Sequence, residues 1–532
     1  MRRAWLQVAG LVRSAADIRL PSLLYGVSVT APLPSGELLA IDTSAAETCP
    51  GVVCVLTADS ALSGEAQRYA PLLRELFSSP IRHAGQIVAL VVADSRSAAL
   101  VAARKINLRV RSQSAHLTIA AALSADATGS LLRSQSGAAA DAFAQSKTRF
   151  VQTYRLAARL AGWSGDGVAT AVWRDGGLTL FTVGTPTPEL LGRLGLAPER
   201  LLVLASSVGA EQVASGLQVL LAAIAALQLV RPVQVSVSSL AAAGVVCEQV
   251  QTVQLGLDDQ DRPCALLLQS AIGTRHRLPS DALAAPTALG ELYGFSAKEL
   301  IVLPARVALP TTPPQMDGFA IDAAVDELAF LLSTDPLALR LRWLDGKDSL
   351  AAKTLRACLL AISQRMAATD SPNASKNVGV AAAIHCLPSG EVVVGAHCMW
   401  AKREQGRPRL VGHVCALGLS GIVDESAARP IIMRQIEKAR RLVLRTELAC
   451  LPRSGYTDEH PVDDSDASEV AVCDVMLLPA GFDRAPSVTT QAISALAESG
   501  VAAAALSALS LAIGERHRSL PAAGHFLRVA AS

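Results

Sequence analysis

The chain has 532 residues, 51% of them hydrophobic and 18% charged, a composition that excludes the disordered class and exceeds what one ordinary core holds. Two to four domains are expected. Lys and Arg number 48 against 46 Asp and Glu, a formal charge of +2, and with no basic block or basic-aromatic stripe nothing points to nucleic acid.

Residues 1–12 imitate a short signal peptide, but Arg13 interrupts the apolar run and no small-residue cleavage site follows. From Asp17 to about Val110 short β-branched runs alternate with one helix. Gly51 to Leu56 and Gln86 to Val92 read as strands, the second apolar on both faces and so central, and Ser95 to Lys105 reads as the helix that covers it. Ala115 to Lys147 is rich in Ala and Ser and reads as a linker. Beyond Phe150, Val168 to Trp173 and Leu178 to Val183 flank Asp175-Gly176-Gly177, a hairpin signal. Leu217 to Val230 is helical, Val233 to Ser238 a strand, and Phe319 to Leu332 an amphipathic helix. Asp335-Pro336 then opens another helix. The last third offers strands at Val378 to His385 and Val392 to Cys398, helices at Met433 to Leu448 and Val501 to Ile513, and a loop over Pro452 to Ser468. The stretches 217–230 and 501–513 are too short to span a bilayer and read as buried helices, so no membrane span is expected.

Ten cysteines, including Cys49, Cys54, Cys386, Cys398 and Cys473, are scattered, with no Cys-x-x-Cys pair and no Cys and His cluster of zinc spacing. They read as reduced structural thiols of a cytoplasmic protein, and they provide no iron-sulfur cradle. The nine histidines, such as His83, His276, His385 and His413, read as isolated and satisfied, so no metal ligands are assigned. A Gly-x-x-x-x-Gly-Lys phosphate loop, a His-Glu-x-x-His helix and a Gly-x-Ser-x-Gly elbow are all missing.

Several blocks then gain meaning together: Asp17-Ile18-Arg19-Leu20-Pro21, Leu24-Tyr25-Gly26, Ile41-Asp42-Thr43-Ser44-Ala45-Ala46, Pro50 to Val53, Leu56 to Asp59, and Gly85 to Ala93. In this order they resemble the α/β hammerhead domain that opens the large subunits of the xanthine dehydrogenase and aldehyde oxidase family. A second anchor, Phe319-Ala320, Asp326 to Ala329, Asp335-Pro336 and Arg340-Leu341-Arg342, resembles the family's helix pair in the molybdenum-binding region; Arg231-Pro232-Val233 and Arg516-x-Arg518-x-Leu520-Pro521 are further echoes. The resemblance implies an α+β protein: a hammerhead domain at 10–115, then shortened mixed α/β molybdopterin-binding domains at 148–345 and 346–532.

It also implies chemistry. In this family a molybdenum centre hydroxylates an electron-poor carbon with water as oxygen source, and a buried glutamate takes a proton from the metal-bound hydroxyl. Glu498, in Ala497-Glu498-Ser499-Gly500, is the positional match, although Ala495 and Ala497 stand where glycines are usual and gapless counting from Arg516 puts Ala495 at the catalytic place. The other reading is that Glu498 and Ser499 cap the final helix. For the pterin the family uses a glycine-rich turn, here Ser207 to Gln212, in which only Gly209 survives. Gln212 is either a cofactor contact or an ordinary helix-start residue. The arginine and glycine segment expected after Thr311 to Pro314 is missing, with Arg306 the nearest arginine, and the Asp-Cys-Gly-like stretch reads Ala416 to Gly421.

Two functions stay open. An active chain would carry molybdenum-molybdopterin, including its cytosine dinucleotide form, and oxidise an aldehyde or aromatic N-heterocycle, passing electrons to an iron-sulfur small subunit and an FAD-binding subunit. A non-catalytic member would bind no cofactor and serve such partners, or a full-length large-subunit paralogue, as a structural or assembly element.

Overall fold

The computed structural model describes residues 15–520 except 78, 161–166, 184–185, 187, 207–215, 238–244, 276–277, 279–281, 310, 313–317, 368–376, 388, 405–406, 480–489 and 421–471, where only 429, 432, 433 and 436 are described. Gly209, Gln212, most of the helix expected at 433–448 and the loop at 452–468 therefore lie outside the described residues.

Residues 15–110 form β1 (Leu24–Thr30), β2 (Val52–Leu56), β3 (Ile87–Ala93) and α1 (Arg96–Ala103), with a separate ribbon pairing Gly36–Asp42 and Asn107–Ser112. All seven residues of β3 are buried, as expected of a central strand apolar on both faces. Ser95 caps α1 by accepting a bond from the Ala98 amide at 3.2 Å. The segment 115–147 is not the linker its small residues suggested. It folds into short helices at Ile119–Ser124 and Ala139–Gln145 around β4 (Leu132–Ser136), because alanine needs little room and still favours helix.

Next come β5 (Thr148–Leu156), β6 (Gly167–Arg174), β7 (Gly177–Val183), β8 (Leu201–Ser206), α2 (Leu217–Leu229) and β9 (Val233–Val237). The β6–β7 hairpin turns at Asp175 and Gly176, both at positive φ (52° and 76°), a conformation that glycine adopts without strain and aspartate tolerates. These strands join the first three in one seven-stranded sheet of order β8-β7-β6-β9-β1-β3-β2. The join is the parallel pairing of β1 with β9, Leu24 opposite Val233. The Leu24 amide donates to the Pro232 carbonyl at 2.9 Å, and the Arg231 guanidinium donates to the Ser22 carbonyl at 3.0 Å and 3.2 Å. Leu90 and Val92 of β3 pack with the apolar helix α2 on one face, while Val91 and Ala93 pack with Ala99 and Ala102 of α1 on the other.

The rest of the chain builds one larger core. Strands β10 (Gln249–Leu257), β11 (Pro263–Thr274) and β12 (Ala297–Arg306) complete a second sheet with β4 and β5; α3 (Ala284–Tyr293) lies between β11 and β12 in the chain. Helices α4 (Phe319–Leu331), α5 (Pro336–Leu344) and α6 (Leu350–Ala367) lead to a four-stranded sheet of β13 (Val378–Cys386), β14 (Val392–Glu404), β15 (Arg407–Ser420) and β16 (Val472–Pro479), and α7 (Thr490–Ile513) packs against β13, β14 and α4. Asp335 caps α5 through the Leu337 and Ala338 amides at 3.0 Å and 2.8 Å, with Pro336 at its first position. Helix α7 begins eleven residues before the expected Val501, since Ala492 to Leu496 are helix formers with no breaker among them. Its segment Ala495–Ile513 has the length and apolarity to cross a bilayer, correcting the expectation that this stretch was too short; 83% of it is buried inside the protein.

At the centre lies a polar knot. Arg340 is wholly buried, and its Nη2 donates to Asp322 Oδ2 at 2.8 Å and to the Asp322 carbonyl at 2.9 Å. Its Nη1 donates to the Pro336 carbonyl at 3.0 Å and faces Asp326 at 3.5 Å. The same carboxylates accept the Ala382 amide at 2.8 Å and the Val380 amide at 3.1 Å of β13, and they bind the Tyr293 and Ser507 hydroxyls. Burial disfavours the guanidinium charge, but Asp322, then Tyr293 and Asp326, more than reverse this and hold it protonated. Burial raises the Asp326 carboxyl above its ordinary value against the pull of Arg340.

Removing the cation would strand two buried carboxylates. Arg340→Met should cost about 3–5 kcal/mol in urea or thermal unfolding; a loss under about 1 kcal/mol would show that the knot contributes little.

Candidate functional site

Two groups of chemically capable side chains meet around α7. The first is Glu498. It is 5% exposed and stands eight residues inside the helix, so it caps nothing, contrary to one of the two readings of its position. Ser499, its neighbour, turns its hydroxyl back to the Ala495 carbonyl at 2.9 Å, a bond of the helix interior. Ala495 and Ala497 are buried in the same helix. The stretch Ala416 to Ser420 is part of strand β15, with Ala416, Leu417 and Leu419 fully buried. Arg306 ends β12 and is exposed.

The second group was not anticipated. His397 on β14 lies opposite Cys415 on β15, and His413, two residues earlier on β15, shares that face because strand side chains alternate. All three are 0% exposed, and one donor atom of each lies within 4.8 Å of the others. Nδ1 of His397 is 3.1 Å from Nε2 of His413, the ring planes 17° apart and the centroids 5.4 Å apart. That is an in-line, nearly coplanar hydrogen bond. Reading His413 as isolated was therefore wrong, since a zinc-type spacing search misses partners sixteen residues apart on a hairpin. The available signal was His413-x-Cys415 on one strand with a third ligand, His397, on the preceding strand.

Glycine makes room for this pair. A Cβ on Gly500 would sit 2.1 Å from Cδ2 of His397, so the ring packs directly on the helix backbone. Glu498, two residues away, lies ~200° around the helix and so off the face that meets His397. Burial pushes His397 down to about 4, with the Leu496 carbonyl opposing part of the shift. Nε2 of His397 has no hydrogen bond of normal geometry.

Residues 10–114 match the family model for the aldehyde oxidase and xanthine dehydrogenase a/b hammerhead domain. A stretch of 109 residues is 34% identical to the aldehyde oxidoreductase molybdenum-binding subunit PaoC of Escherichia coli strain K12, covering 20% of this chain and 15% of that subunit, well under two thirds of its length. The fold as a whole is similar to aldehyde oxidoreductase from Desulfovibrio gigas, with a TM-score of 0.77 at 14% identity over 99% of this chain and 80% of that one. Quinoline 2-oxidoreductase from Pseudomonas putida 86 gives 0.74 at 14% identity over 100% and 97%, and carbon monoxide dehydrogenase from Oligotropha carboxidovorans gives 0.72 at 12% over 99% and 96%. The architecture is thus that of these oxidoreductase chains. Residues 10–114 are thus similar to that family's hammerhead domain, and the chain as a whole shares the fold of these oxidoreductase chains.

Two measurements probe the site. Gly500→Ala gains up to ~1 kcal/mol of helix propensity but forces a clash costing ~1–3 kcal/mol, so net destabilisation is expected in thermal unfolding. Net stabilisation would mean that His397 moves aside freely. His397 is neutral above about 6.5 in both folded and unfolded states. As pH falls toward about 4 only the unfolded state takes the proton, so stability should fall by up to about 1.4 kcal/mol per pH unit over that window. His397→Gln should flatten this part of a urea-stability profile; an unchanged slope would assign it to other groups.

Proposed function

We propose that the chain is a molybdenum-hydroxylase large-subunit homologue that keeps the fold as a structural or assembly partner and does not itself turn over substrate. The observation that carries this reading is the setting of the residues the resemblance assigns to chemistry. Glu498 is built into a continuous buried helix, and the stretch corresponding to the family's Asp-Cys-Gly-like segment is buried apolar strand. A molybdenum-pterin group needs polar donors converging on its phosphates and a carboxylate open to the reacting atoms. The described residues do not fit that group, and the sequence lacks the arginine and glycine segment and all but one glycine of the cofactor turn.

A scaffold can outlast its chemistry because packing positions must keep core volume, whereas loops carried on them can change without unfolding the whole. The partners that suit this reading are an iron-sulfur subunit, an FAD-binding subunit or a full-length large subunit of the same family. A second reading, hydroxylation of an aldehyde or N-heterocycle with Glu498 as the base, rests on the position of Ala497-Glu498-Ser499-Gly500 in the sequence and on the burial of that carboxylate.

Co-expression with its natural neighbours and with cofactor-synthesis machinery separates the two. Copurification of a partner with clearly substoichiometric molybdenum and pterin is the expected result. Near-stoichiometric molybdenum, with turnover abolished by Glu498→Gln, would replace the proposal with the catalytic reading.

A further inference from the structure

His397, His413 and Cys415 have no part in the proposed function. They sit in the core between the four-stranded sheet and α7, and among the described residues no fourth His, Cys, Asp or Glu joins their cluster. We propose that they form a closed, three-coordinate site for one copper(I) ion.

Ligand chemistry narrows the choice first. One thiolate and two imidazoles suit copper or zinc and are poor partners for magnesium, calcium or manganese, which prefer oxygen. Charge then decides between the two. A Cys415 thiolate with a monovalent ion is neutral overall, whereas with a divalent ion it leaves a net positive charge in the buried core, and an uncompensated buried charge is strongly disfavoured. Coordination number agrees, since structural zinc takes four ligands and, among the described residues, three such side chains converge here. Binding releases the Cys415 thiol proton to solvent and transfers no electron.

The ring positions already suit a cation. In a trigonal site with metal–nitrogen bonds of ~2.0 Å and ring centres ~1.1 Å behind the nitrogens, the two centroids stand ~5.4 Å apart. The observed separation is 5.4 Å. Each ring therefore need only pivot by about 30° about its own centre, opening the nitrogens from 3.1 Å to roughly 3.5 Å, without movement of the backbone. Nδ1 of His397 faces His413, while Nε2 lies against the α7 backbone at Gly500, within one helical turn of the Leu496 carbonyl that acts on the ring. A ligating imidazole commonly directs its second nitrogen toward such an acceptor, which fixes the tautomer. The Gly500 contact holds the ring from above.

The test uses the full chain, purified without oxygen, stripped of metal and titrated with copper(I) in competition with bicinchoninate. One equivalent should be held against the chelator. X-ray absorption should report one sulfur near ~2.3 Å and two nitrogens near ~2.0 Å. Cys415→Ser should weaken retention by roughly 100-fold or more, while Cys54→Ser, remote from the cluster, should leave it unchanged. Failure to hold copper would leave the three residues a hydrogen-bonded histidine pair beside a thiol and overturn the proposal. Equal retention by Cys415→Ser, an absorption spectrum lacking the two-nitrogen, one-sulfur set, or preferential uptake of zinc would overturn it as well. Should Cys415→Ser not fold, the spectrum of the unaltered chain decides alone.

Discussion

A single guanidinium holds the larger half of this molecule together. Arg340 comes from α5, its carboxylate partners Asp322 and Asp326 from α4, and those carboxylates reach on to backbone amides of β13, to Tyr293 at the end of α3 and to Ser507 of α7. Five elements thus share one buried charge cluster. Apolar packing alone would let α7 slide along the alanine-rich β13, because small side chains interlock weakly; polar bonds at fixed points set the register. Glu327 extends the arrangement outward, accepting from the Arg518 guanidinium at 2.8 Å and from the Tyr154 hydroxyl at 3.0 Å, so the chain just beyond α7 is tied to α4 and β5.

Placement of α7 sets everything near the candidate site. The helix brings Gly500 over His397, Ala504 over Gly379 and Ser507 onto Asp326 along one face. Glu498 lies off that face. Gly500, which packs on His397, is two residues from Glu498, yet the glutamate lies about 200° around the helix from that contact, so the proposed copper chemistry does not draw on it.

Much of the fold was legible in the residues, and the reasons differ by place. Strand β3, the β6–β7 hairpin, α4 and the Asp335-Pro336 start of α5 follow from local signals that tertiary contacts reinforce. The 115–147 region misled because alanine and serine serve linkers and tight helix-to-strand packing equally well, and only the neighbouring β11 and β12 decide between them. The start of α7 was misplaced for a related reason: Gly500 resembles a helix boundary until His397 is seen filling the space beside it. Pairing of His397 with His413 depends on hairpin register, which no spacing rule along the chain encodes. Among the residues assigned to chemistry, Glu498 could be located by motif, whereas its setting inside a helix could not.

The continuous seven-stranded sheet has a bearing on how such a chain can be inherited. Because β1 lies against β9, the first hundred residues and the segment up to Val237 share backbone hydrogen bonds rather than merely touching. A break near residue 115 would leave β9 with a bare edge, an invitation to strand exchange between molecules. Moving residues 15–110 without the strands that follow would therefore break a continuous sheet.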